Sequence, residues 1–234
     1  MSMPPKKRQT VILTKNSHEF AAWATQNVVC GIDEVGRGCL AGPLVTAAVI
    51  LPPNKISRLL KDSKLLTEAE RVKASIWITK HAWIGYGIVH HRLIDSHNIW
   101  QANLIAMKKA LVNLLATCPL RPAAILVDAM PLKLADTNFK DIPVHHFPKG
   151  ERRSSSIAAA SIMAKVMRDD LMTKLAPIFP GYALDQHKGY STAKHMEAVK
   201  SLQHSVIHRM SFLKNMLNPE FVDTQTNEEQ QSLC

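Results

Sequence analysis

The chain has 234 residues, 46% of them hydrophobic, which is enough for one large domain or two small ones with a substantial core. It has 29 lysines and arginines against 19 aspartates and glutamates, and this net charge of +10 favours a polyanionic partner such as nucleic acid. Four cysteines without CxxC spacing argue against a zinc site and a disulfide framework. No apolar run approaches the ~18 residues of a membrane span, so we expect a cytoplasmic protein without a membrane partner.

The two ends of the chain differ from its middle. A basic tail opens an N-terminal extension that we place at residues 1–27. Residues 218–234 contain four acidic residues and no lysine or arginine, which predicts a polar acidic tail. The rest of the chain then carries a charge of +14. We therefore predict one folded domain over residues 28–217, with a basic surface for the polyanion.

Five strands are predicted along this domain. Two apolar runs rich in β-formers, 28–33 and 44–51, are separated by a glycine-rich turn, and a third run, 83–89, alternates loosely. Two short strands follow at 123–127 and 143–147. Strands in hairpin order, followed by alternation of strand and helix, predict a layered α/β domain.

Two long helices complete the predicted elements. Residues 98–117 carry apolar side chains at helical spacing. Three serines at 154–156 offer N-caps to a second helix that extends to about Leu175. In that helix Lys165 and Asp169 are four residues apart, so we predict that they form a helix-stabilising ion pair.

The most informative stretch is at the end of the first predicted strand, where the sequence reads Asp33-Glu34-Val35-Gly36-Arg37-Gly38. Burying adjacent carboxylates is unfavourable unless a cation or a proton compensates their charge. Glycines on both sides of Arg37 allow the backbone to come close to a ligand. Together these features indicate a metal beside a bound sugar–phosphate backbone, as a phosphodiester-cutting enzyme needs.

Further acidic residues fit the same interpretation. Asp128 follows a predicted strand, as Asp33 and Glu34 do, so all three are expected at one edge of the sheet, and Glu151 is a fourth candidate. Carboxylates without histidine or cysteine match the preference of Mg²⁺ or Mn²⁺ for oxygen ligands. Two such ions ~4 Å apart can activate a water and stabilise a leaving oxygen. Any one of these acids alone would more often be a turn residue or a helix cap.

The motifs of this chain resemble those of the ribonuclease HII family. The matching blocks follow one another in order: Asp33-Glu34-Val35-Gly36-Arg37-Gly38 with Ala41-Gly42-Pro43; Asp62-Ser63-Lys64; Ile94-Asp95-Ser96-His97-Asn98; Asp128; Lys149-Gly150-Glu151; Ser156 to Asp169; His187-Lys188-Gly189-Tyr190; His195; and His208-Arg209. The resemblance extends from about residue 28 to about residue 212. So many separated blocks are far more specific than any one of them.

The resemblance implies a ribonuclease-H-like mixed sheet flanked by helices, with a C-terminal helical segment, as the catalytic domain at 28–217. It implies an endoribonuclease that hydrolyses the RNA strand of RNA–DNA hybrids. It also implies cutting 5′ of single ribonucleotides embedded in duplex DNA, by a two-metal-ion mechanism that leaves 5′-phosphate and 3′-hydroxyl ends. The expected partner is therefore an RNA–DNA hybrid or ribonucleotide-containing duplex DNA. We expect a monomer and leave a protein partner open.

Carried over by position, the resemblance implies that Asp33, Glu34, Asp128 and Glu151 hold Mg²⁺ or Mn²⁺. The family usually has aspartate where this chain has Glu151; glutamate is one methylene longer and can still reach a metal. Asp169 is the competing fourth acid.

The resemblance also implies a set of substrate contacts. The backbone of Gly36, Arg37 and Gly38 would lie against the ribose 2′-hydroxyl, and Tyr190 would bond to that hydroxyl or pack on the next sugar. The implied phosphate contacts are Lys64, Lys149, Lys165, Lys188 and Arg209. Histidines 187, 195 and 208 are expected to be structural.

Three other interpretations were weighed. Ribonuclease HIII is a sister family with similar catalytic blocks, but it typically adds an N-terminal substrate-binding domain, for which ~27 residues are too few. A non-catalytic nucleic-acid-binding protein is disfavoured by the intact Asp33, Glu34 and Asp128. A phosphatase for small phosphates is disfavoured by the basic charge and by the lack of a GxxxxGK loop.

Overall fold

The computed structural model describes residues 15–217, so the predicted basic start and the predicted acidic tail lie outside the described residues. The strands in this range are β1 (Val29–Val35), β2 (Leu44–Ile50), β3 (Trp83–Val89), β4 (Ala124–Asp128) and β5 (Val144–Phe147). The α-helices are α1 (Ser17–Ala24), α2 (Glu68–His81), α3 (His91–Thr117), α4 (Ser155–Leu175), α5 (Leu184–His187), α6 (Ala193–Leu202) and α7 (Met210–Leu217). Over this same range, no helix combines the length and the apolar character needed to cross a bilayer.

The five strands form one mixed sheet in the order β3-β2-β1-β4-β5. Strands β1, β2 and β3 pair antiparallel, whereas β4 and β5 run parallel to β1. Strand β4 lies parallel to β1, which requires the chain to cross over the sheet. Helix α3 makes this crossover, since it connects β3 at one edge to β4 beside β1. This arrangement confirms the predicted α/β fold with a mixed sheet flanked by helices. It also brings the carboxyl ends of β1 and β4 to the same edge of the sheet.

Helices cover both faces of the sheet because strand side chains alternate between the faces. On one face Ile32 of β1 belongs to a buried cluster with Leu111 and Leu114 of α3. On the other face Ala160 and Ala164 of α4 pack against buried residues of β2. Small side chains at these α4 positions let the helix lie close to the sheet. The core therefore consists of two apolar layers, one on each side of the strands.

Helix α1 lies inside the segment that was predicted as an extension, at 1–27. Its Glu19 is fully buried and accepts hydrogen bonds from the Ser154 hydroxyl at 2.6 Å and from the Ser156 backbone at 3.0 Å. Asn16 accepts a third bond from the backbone of Ser155 at 2.8 Å. Residues 15–27 are therefore not a detached arm, because they satisfy free N–H groups at the start of α4.

Helix α2 was also missing from the sequence prediction, although its sequence carries a recognisable signal. Thr67 accepts a bond from the backbone of Glu70, and the Glu70 carboxylate accepts one from the backbone of Thr67. This reciprocal pair is a capping box, which fixes the first turn of the helix.

The predicted helix at 98–117 begins earlier in the structure, at His91, and is interrupted at Asn98, where φ is 64° and ψ is 166°. The Asn98 side chain accepts a bond from the backbone of Gln101 at 3.0 Å and so caps the longer second part. The sequence prediction identified only that second part.

Candidate active site

The four acidic side chains predicted to bind metal line one cavity of about 500 Å³ at the edge of the sheet where β1 and β4 end. Asp33 and Glu34 lie near the end of β1, and Asp128 is the last residue of β4. Glu151 lies in a short 3₁₀ turn after β5, just ahead of α4. The four acids therefore line the same cavity, and parallel pairing of β1 with β4 brings the two strand ends together.

The first predicted strand was too short, because β1 continues past Asp33 to Val35. Asp33 pairs with Ala47 and Glu34 with Thr46, so both acids are still within the strand. Adjacent strand residues point to opposite faces, and these two acids do so. The Asp33 carboxyl lies near Ser161 of α4, whereas the Glu34 carboxyl lies near Asn103 of α3. The two acids thus line the cavity from the two sides of the sheet edge.

Burial and mutual repulsion act on the carboxylates of this cavity. Burial raises the pKa of the Asp33 carboxyl well above its usual range, and repulsion from Glu34 and Asp128 raises it further. Burial also raises the pKa of Glu34, although the Arg37 guanidinium, 3.4 Å from Glu34 Oε1, opposes this effect. Burial and the nearby Asp128 raise the pKa of Glu151. Such a site needs a proton or a cation to stabilise it.

The donor atoms fit a hard divalent cation. All four candidates are carboxylates, the ligand type that Mg²⁺ and Mn²⁺ prefer. The buried Glu34 Oε2 has no hydrogen-bond partner within residues 15–217 and is thus an acceptor without a donor. In the same range no group of three or more His, Cys, Asp or Glu side chains is placed closely enough to hold a metal ion as it stands. The acids therefore share a cavity without converging on one point.

The glycines around Arg37 differ in what the protein requires of them. Gly36 has a φ of +98°, and an added Cβ would lie 2.3 Å from Nε of Arg168. Gly38 lies outside the left-handed region, and an added Cβ would meet no protein atom within 4 Å. Gly36 is therefore required by packing, whereas Gly38 leaves open space at the cavity wall.

Tyr190 is far from the acids along the chain, but it lines the same cavity as they and the glycine loop do. Its ring centroid is 5.3 Å from Lys165 Nζ and 5.5 Å from Arg168 Cζ, so two cations flank the ring. Burial, reinforced by Cys39, raises the pKa of its hydroxyl to about 12. Tyr190 therefore presents a neutral hydroxyl that can donate a hydrogen bond.

With this geometry established, comparison with known proteins is decisive. The family model for ribonuclease HII matches residues 30–215. The chain belongs to the ribonuclease HII family. It is 42% identical over 207 residues to ribonuclease HII of Lactobacillus delbrueckii subsp. bulgaricus, covering 88% of this chain and 77% of that protein. It is 43% identical over 188 residues to ribonuclease HII of Chlamydia abortus, covering 80% and 84%.

Solved structures agree with this assignment. Ribonuclease HII of Archaeoglobus fulgidus, solved in a complex with PCNA, has a TM-score of 0.65 at 26% identity, covering 78% of this chain and 94% of that one. Ribonuclease H2 of Pyrococcus horikoshii has a TM-score of 0.63 at 26% identity, covering 79% and 93%. A ribonuclease HIII solved with Mn²⁺ shares the fold, with a TM-score of 0.57 at 21% identity. The protein is thus a ribonuclease H of the divalent-metal-dependent type, an endoribonuclease that acts on RNA–DNA hybrids.

One residue predicted to bind phosphate in this ribonuclease HII lies elsewhere. Arg209 is fully buried, and its guanidinium donates to the carbonyl of Arg37 at 2.8 Å and to that of Gly42 at 3.0 and 3.1 Å. Burial lowers its pKa to about 10. Since the group has no exposed surface, the prediction of a phosphate contact was wrong for Arg209. Its role is to support the glycine loop from behind.

Arg168 of α4 provides a second buried support that the sequence analysis did not assign. Its guanidinium donates to the carbonyls of Ala41, Pro43 and Lys188 at 2.7 to 3.0 Å. It therefore ties the loop after β1 to the segment that carries Tyr190. An arginine in a helix gives no sequence signal for this role, because its partners are carbonyls from two distant loops.

The four predicted lysines occupy different positions. Lys64 and Lys165 line the cavity, whereas Lys149 is exposed in the turn before Glu151. Lys188 lines a neighbouring groove, and its ammonium group donates to Thr173 and to the carbonyl of Asp185. The competing acid, Asp169, lines that groove as well and bonds Lys165 at 2.8 Å. Its position therefore favours Glu151 as the fourth acid of the cavity.

Four further polar residues line the cavity without having been assigned to it: Asp62, Ser63, Arg71 and Ser161. The hydroxyls of Ser63 and Ser161 are 2.9 Å apart and join the 62–64 motif to α4 beside Asp33. Arg71 donates to the carbonyl of Ser63 and so holds the same motif from α2. The motif and the serine were visible in the sequence, but their contact with Asp33 depends on how α4 lies on the sheet.

Proposed function

We propose that this ribonuclease HII, besides hydrolysing the RNA strand of hybrids, cuts 5′ of single ribonucleotides embedded in duplex DNA and leaves 5′-phosphate and 3′-hydroxyl ends. One observation carries the proposal. A single cavity joins the four carboxylates to the Gly36–Gly38 loop and to Tyr190. The group that would hold the metal and the groups that would contact the sugar thus face the same space, and one chain supplies them all, as a monomer requires.

The carboxylates of Asp33, Glu34, Asp128 and Glu151 would hold the ions. Two bound Mg²⁺ or Mn²⁺ ions would supply activation of the attacking water and stabilisation of the leaving oxygen. The protein orients the ligands: the backbone of Glu34 donates to Asp33 at 2.7 Å, and the backbone of Gly150 donates to Asp128 at 2.7 Å. Because Glu34 and Asp128 repel the Asp33 carboxylate, cation binding would relieve the repulsion that raises the pKa of Asp33.

Recognition of the ribonucleotide would fall to the glycine loop and Tyr190. Gly38 leaves backbone exposed to the cavity, so a sugar can approach closely. The neutral Tyr190 hydroxyl can then bond to the 2′-hydroxyl, which distinguishes RNA from DNA at a single position. Without that hydroxyl, the polar groups of the site would stay unpaired, which disfavours an all-DNA substrate.

Phosphate contacts would position the duplex without reading its sequence. Lys64 and Lys165 are placed for this role inside the cavity, and Lys149 and Lys188 lie on either side of it. Arg37 is 40% exposed and can reach a phosphate while it remains close to Glu34.

The test is digestion of duplex DNA with one ribonucleotide, compared with a long hybrid and an all-DNA duplex, with Mg²⁺, with Mn²⁺ and with chelator. We expect cutting 5′ of the ribonucleotide with either metal and no cutting of the all-DNA duplex. Tyr190→Ala should reduce cutting at the single ribonucleotide more than cutting of the hybrid. The matched Tyr190→Phe variant separates the hydroxyl from the ring. Equal losses on both substrates would refute the role of Tyr190.

A further inference from the structure

Three buried histidines lie close to the backbone of Tyr190, and two of them form a hydrogen-bonded chain that the proposed function does not use. His195 Nδ1 is 2.9 Å from the carbonyl oxygen of Tyr190, and His195 Nε2 is 3.1 Å from His208 Nε2. His208 Nδ1 in turn is 3.0 Å from the backbone nitrogen of Ser205. His187 stacks on His195, with ring centroids 4.2 Å apart.

The partners determine where each proton lies. The Tyr190 carbonyl only accepts, so His195 must donate from Nδ1, and its Nε2 must then be the acceptor. His208 must therefore donate from Nε2 to His195. Its Nδ1 is left as an acceptor, which matches the N–H of Ser205 on that side. The chain from Ser205 to Tyr190 thus runs in one direction with both rings neutral.

The hydrogen-bond partners of His187 also determine where its proton lies. Its Nε2 donates to the Tyr182 carbonyl at 2.7 Å, and its Nδ1 accepts from the backbone of Gly189 at 3.2 Å. The residue before Tyr190 and the carbonyl of Tyr190 itself are therefore both held by histidine rings.

We propose that His195 and His208 are positioning residues for ribonucleotide recognition, which hold the Tyr190 backbone through an ordered N–H···N bond between their rings. This inference rests on the proposed role of Tyr190. A packing role would need only the ring shapes. The positioning role requires each ring nitrogen to remain either a donor or an acceptor. A second proton on either ring would place two N–H donors opposite each other and break the bond.

The surroundings keep the rings neutral. Burial is the main cause that lowers the pKa of all three histidines, and that of His208 falls to about 4. The charged or titratable groups that face the chain are Asp185 and Lys194 near His187, and His204 and His91 near His208. In addition, repulsion from His187 lowers the pKa of His195, and repulsion from His195 lowers the pKa of His208.

The first test reads the tautomers directly in the wild-type enzyme by nitrogen NMR of the imidazole rings at neutral pH. His195 should be the Nδ1–H tautomer, and His187 and His208 should be Nε2–H tautomers. His195 found as the Nε2–H tautomer, or as a charged ring, would overturn the proposal whatever the activity shows.

The second test uses a matched pair of substitutions. An asparagine amide can replace Nδ1 of histidine, and a glutamine amide can replace Nε2. His195→Asn should therefore keep the bond to Tyr190, whereas His195→Gln should keep only the bond to His208. We expect His195→Gln to lower the ratio of kcat/KM for a single embedded ribonucleotide to kcat/KM for a long hybrid by about fivefold, the effect of one lost hydrogen bond. His195→Asn should change that ratio by less than about twofold.

The same pair in a Tyr190→Ala background shows whether His195 acts through Tyr190. There the effect of His195→Gln on the ratio should disappear, and a persistent effect would overturn the proposal. If His195→Gln does not fold, His208→Gln and His208→Asn replace it: the glutamine keeps the donor to His195, and the asparagine does not. A wild-type enzyme that cuts only hybrids would overturn the proposed function and, with it, this role. Wild-type selectivity that His195→Gln leaves unchanged would overturn the positioning role alone.

Discussion

Asp128 Oδ1 accepts a hydrogen bond of 2.7 Å from the backbone N–H of Gly150. This bond joins the last residue of β4 to the turn that carries Glu151. A Cβ added at Gly150 would lie 3.2 Å from the same oxygen and 2.7 Å from Ile157 Cδ1, so a larger residue would require the Ile157 side chain to shift. Two acids that are distant in sequence are therefore held in a defined relation, which a shared metal site requires.

Asp33→Asn tests the charge of the cavity. Cleavage with Mg²⁺ should fall at least about 10³-fold, because metal-ion catalysis supplies several kcal/mol, while hybrid binding should survive. The folded state raises the pKa of Asp33, so this group stabilises the protein only at low pH and loses that effect as the pH rises through its folded pKa. Without metal at pH 7, the free energy of unfolding should therefore rise in the variant, as urea unfolding can measure. Retained Mg²⁺ cleavage would refute the assignment of Asp33.

Gly36→Ala and Gly38→Ala form a matched pair. Gly36→Ala should lower the free energy of unfolding by about 1–3 kcal/mol, because the residue has a positive φ and contacts Arg168. Gly38→Ala should change it by less than about 0.5 kcal/mol, since an added Cβ meets no protein atom. The same variant should reduce cutting at an embedded ribonucleotide by about tenfold or more, because it displaces the sugar. Full activity in a stable Gly38→Ala enzyme would argue against close approach of the substrate there.

Lys64→Ala and Arg209→Met separate a phosphate contact from a buried support. Lys64→Ala should reduce the slope of log binding constant against log salt by about one, with little change in stability. Arg209→Met should leave the slope unchanged but lower the free energy of unfolding by about 2 kcal/mol or more, because two buried carbonyls lose their donors. Hybrid binding measured between about 50 and about 200 mM salt, without divalent ions, gives the slope. A reduced slope for Arg209→Met would contradict its buried role.

Acidification should destabilise the protein through His208. Burial lowers the pKa of this ring from 6.5 to about 4. Between those values the unfolded chain binds a proton that the folded chain excludes, so stability is present above pH ~6.5 and is lost as the pH falls towards ~4. Urea unfolding across this range should show a loss that is smaller in His208→Gln. The exposed His146→Gln serves as the control and should follow the wild type. Identical curves for His208→Gln and the wild type would contradict this account.

Much of the fold was predictable because its signals are local. Each of the five strands was recognised from its apolar run, although β1 ends two residues later than predicted. The start of α4 was recognised from its serines, and Ser154 does accept a bond from the backbone of Ile157. Helix α1 was not predicted because eight residues give little periodicity. The contact that holds it, between Glu19 and the start of α4, also joins residues that are distant in the sequence.

Motif residues were harder to interpret than strands. Asp95 belongs to one of the matching blocks, and in the structure its carboxylate accepts bonds from the backbones of Met210 and Ser211 and thus caps α7. Arg209 sits in another block and is buried against carbonyls. A polar residue of a motif can bind the substrate or hold the protein backbone in place, and only its burial and its hydrogen-bond partners distinguish the two roles.

From residue type and spacing alone we could predict which features would serve the chemistry: the acids at the ends of apolar runs, the glycines around Arg37, and the basic charge of the domain. These follow from residue type and spacing, which need no long-range contact. Only the tertiary structure decided that Asp33 and Glu34 approach from opposite sides of the sheet edge, that Glu151 rather than Asp169 shares their cavity, and that Arg209 does not. The reason is physical: strand alternation, parallel pairing and the burial of a guanidinium are properties of elements that meet in space, far apart along the chain.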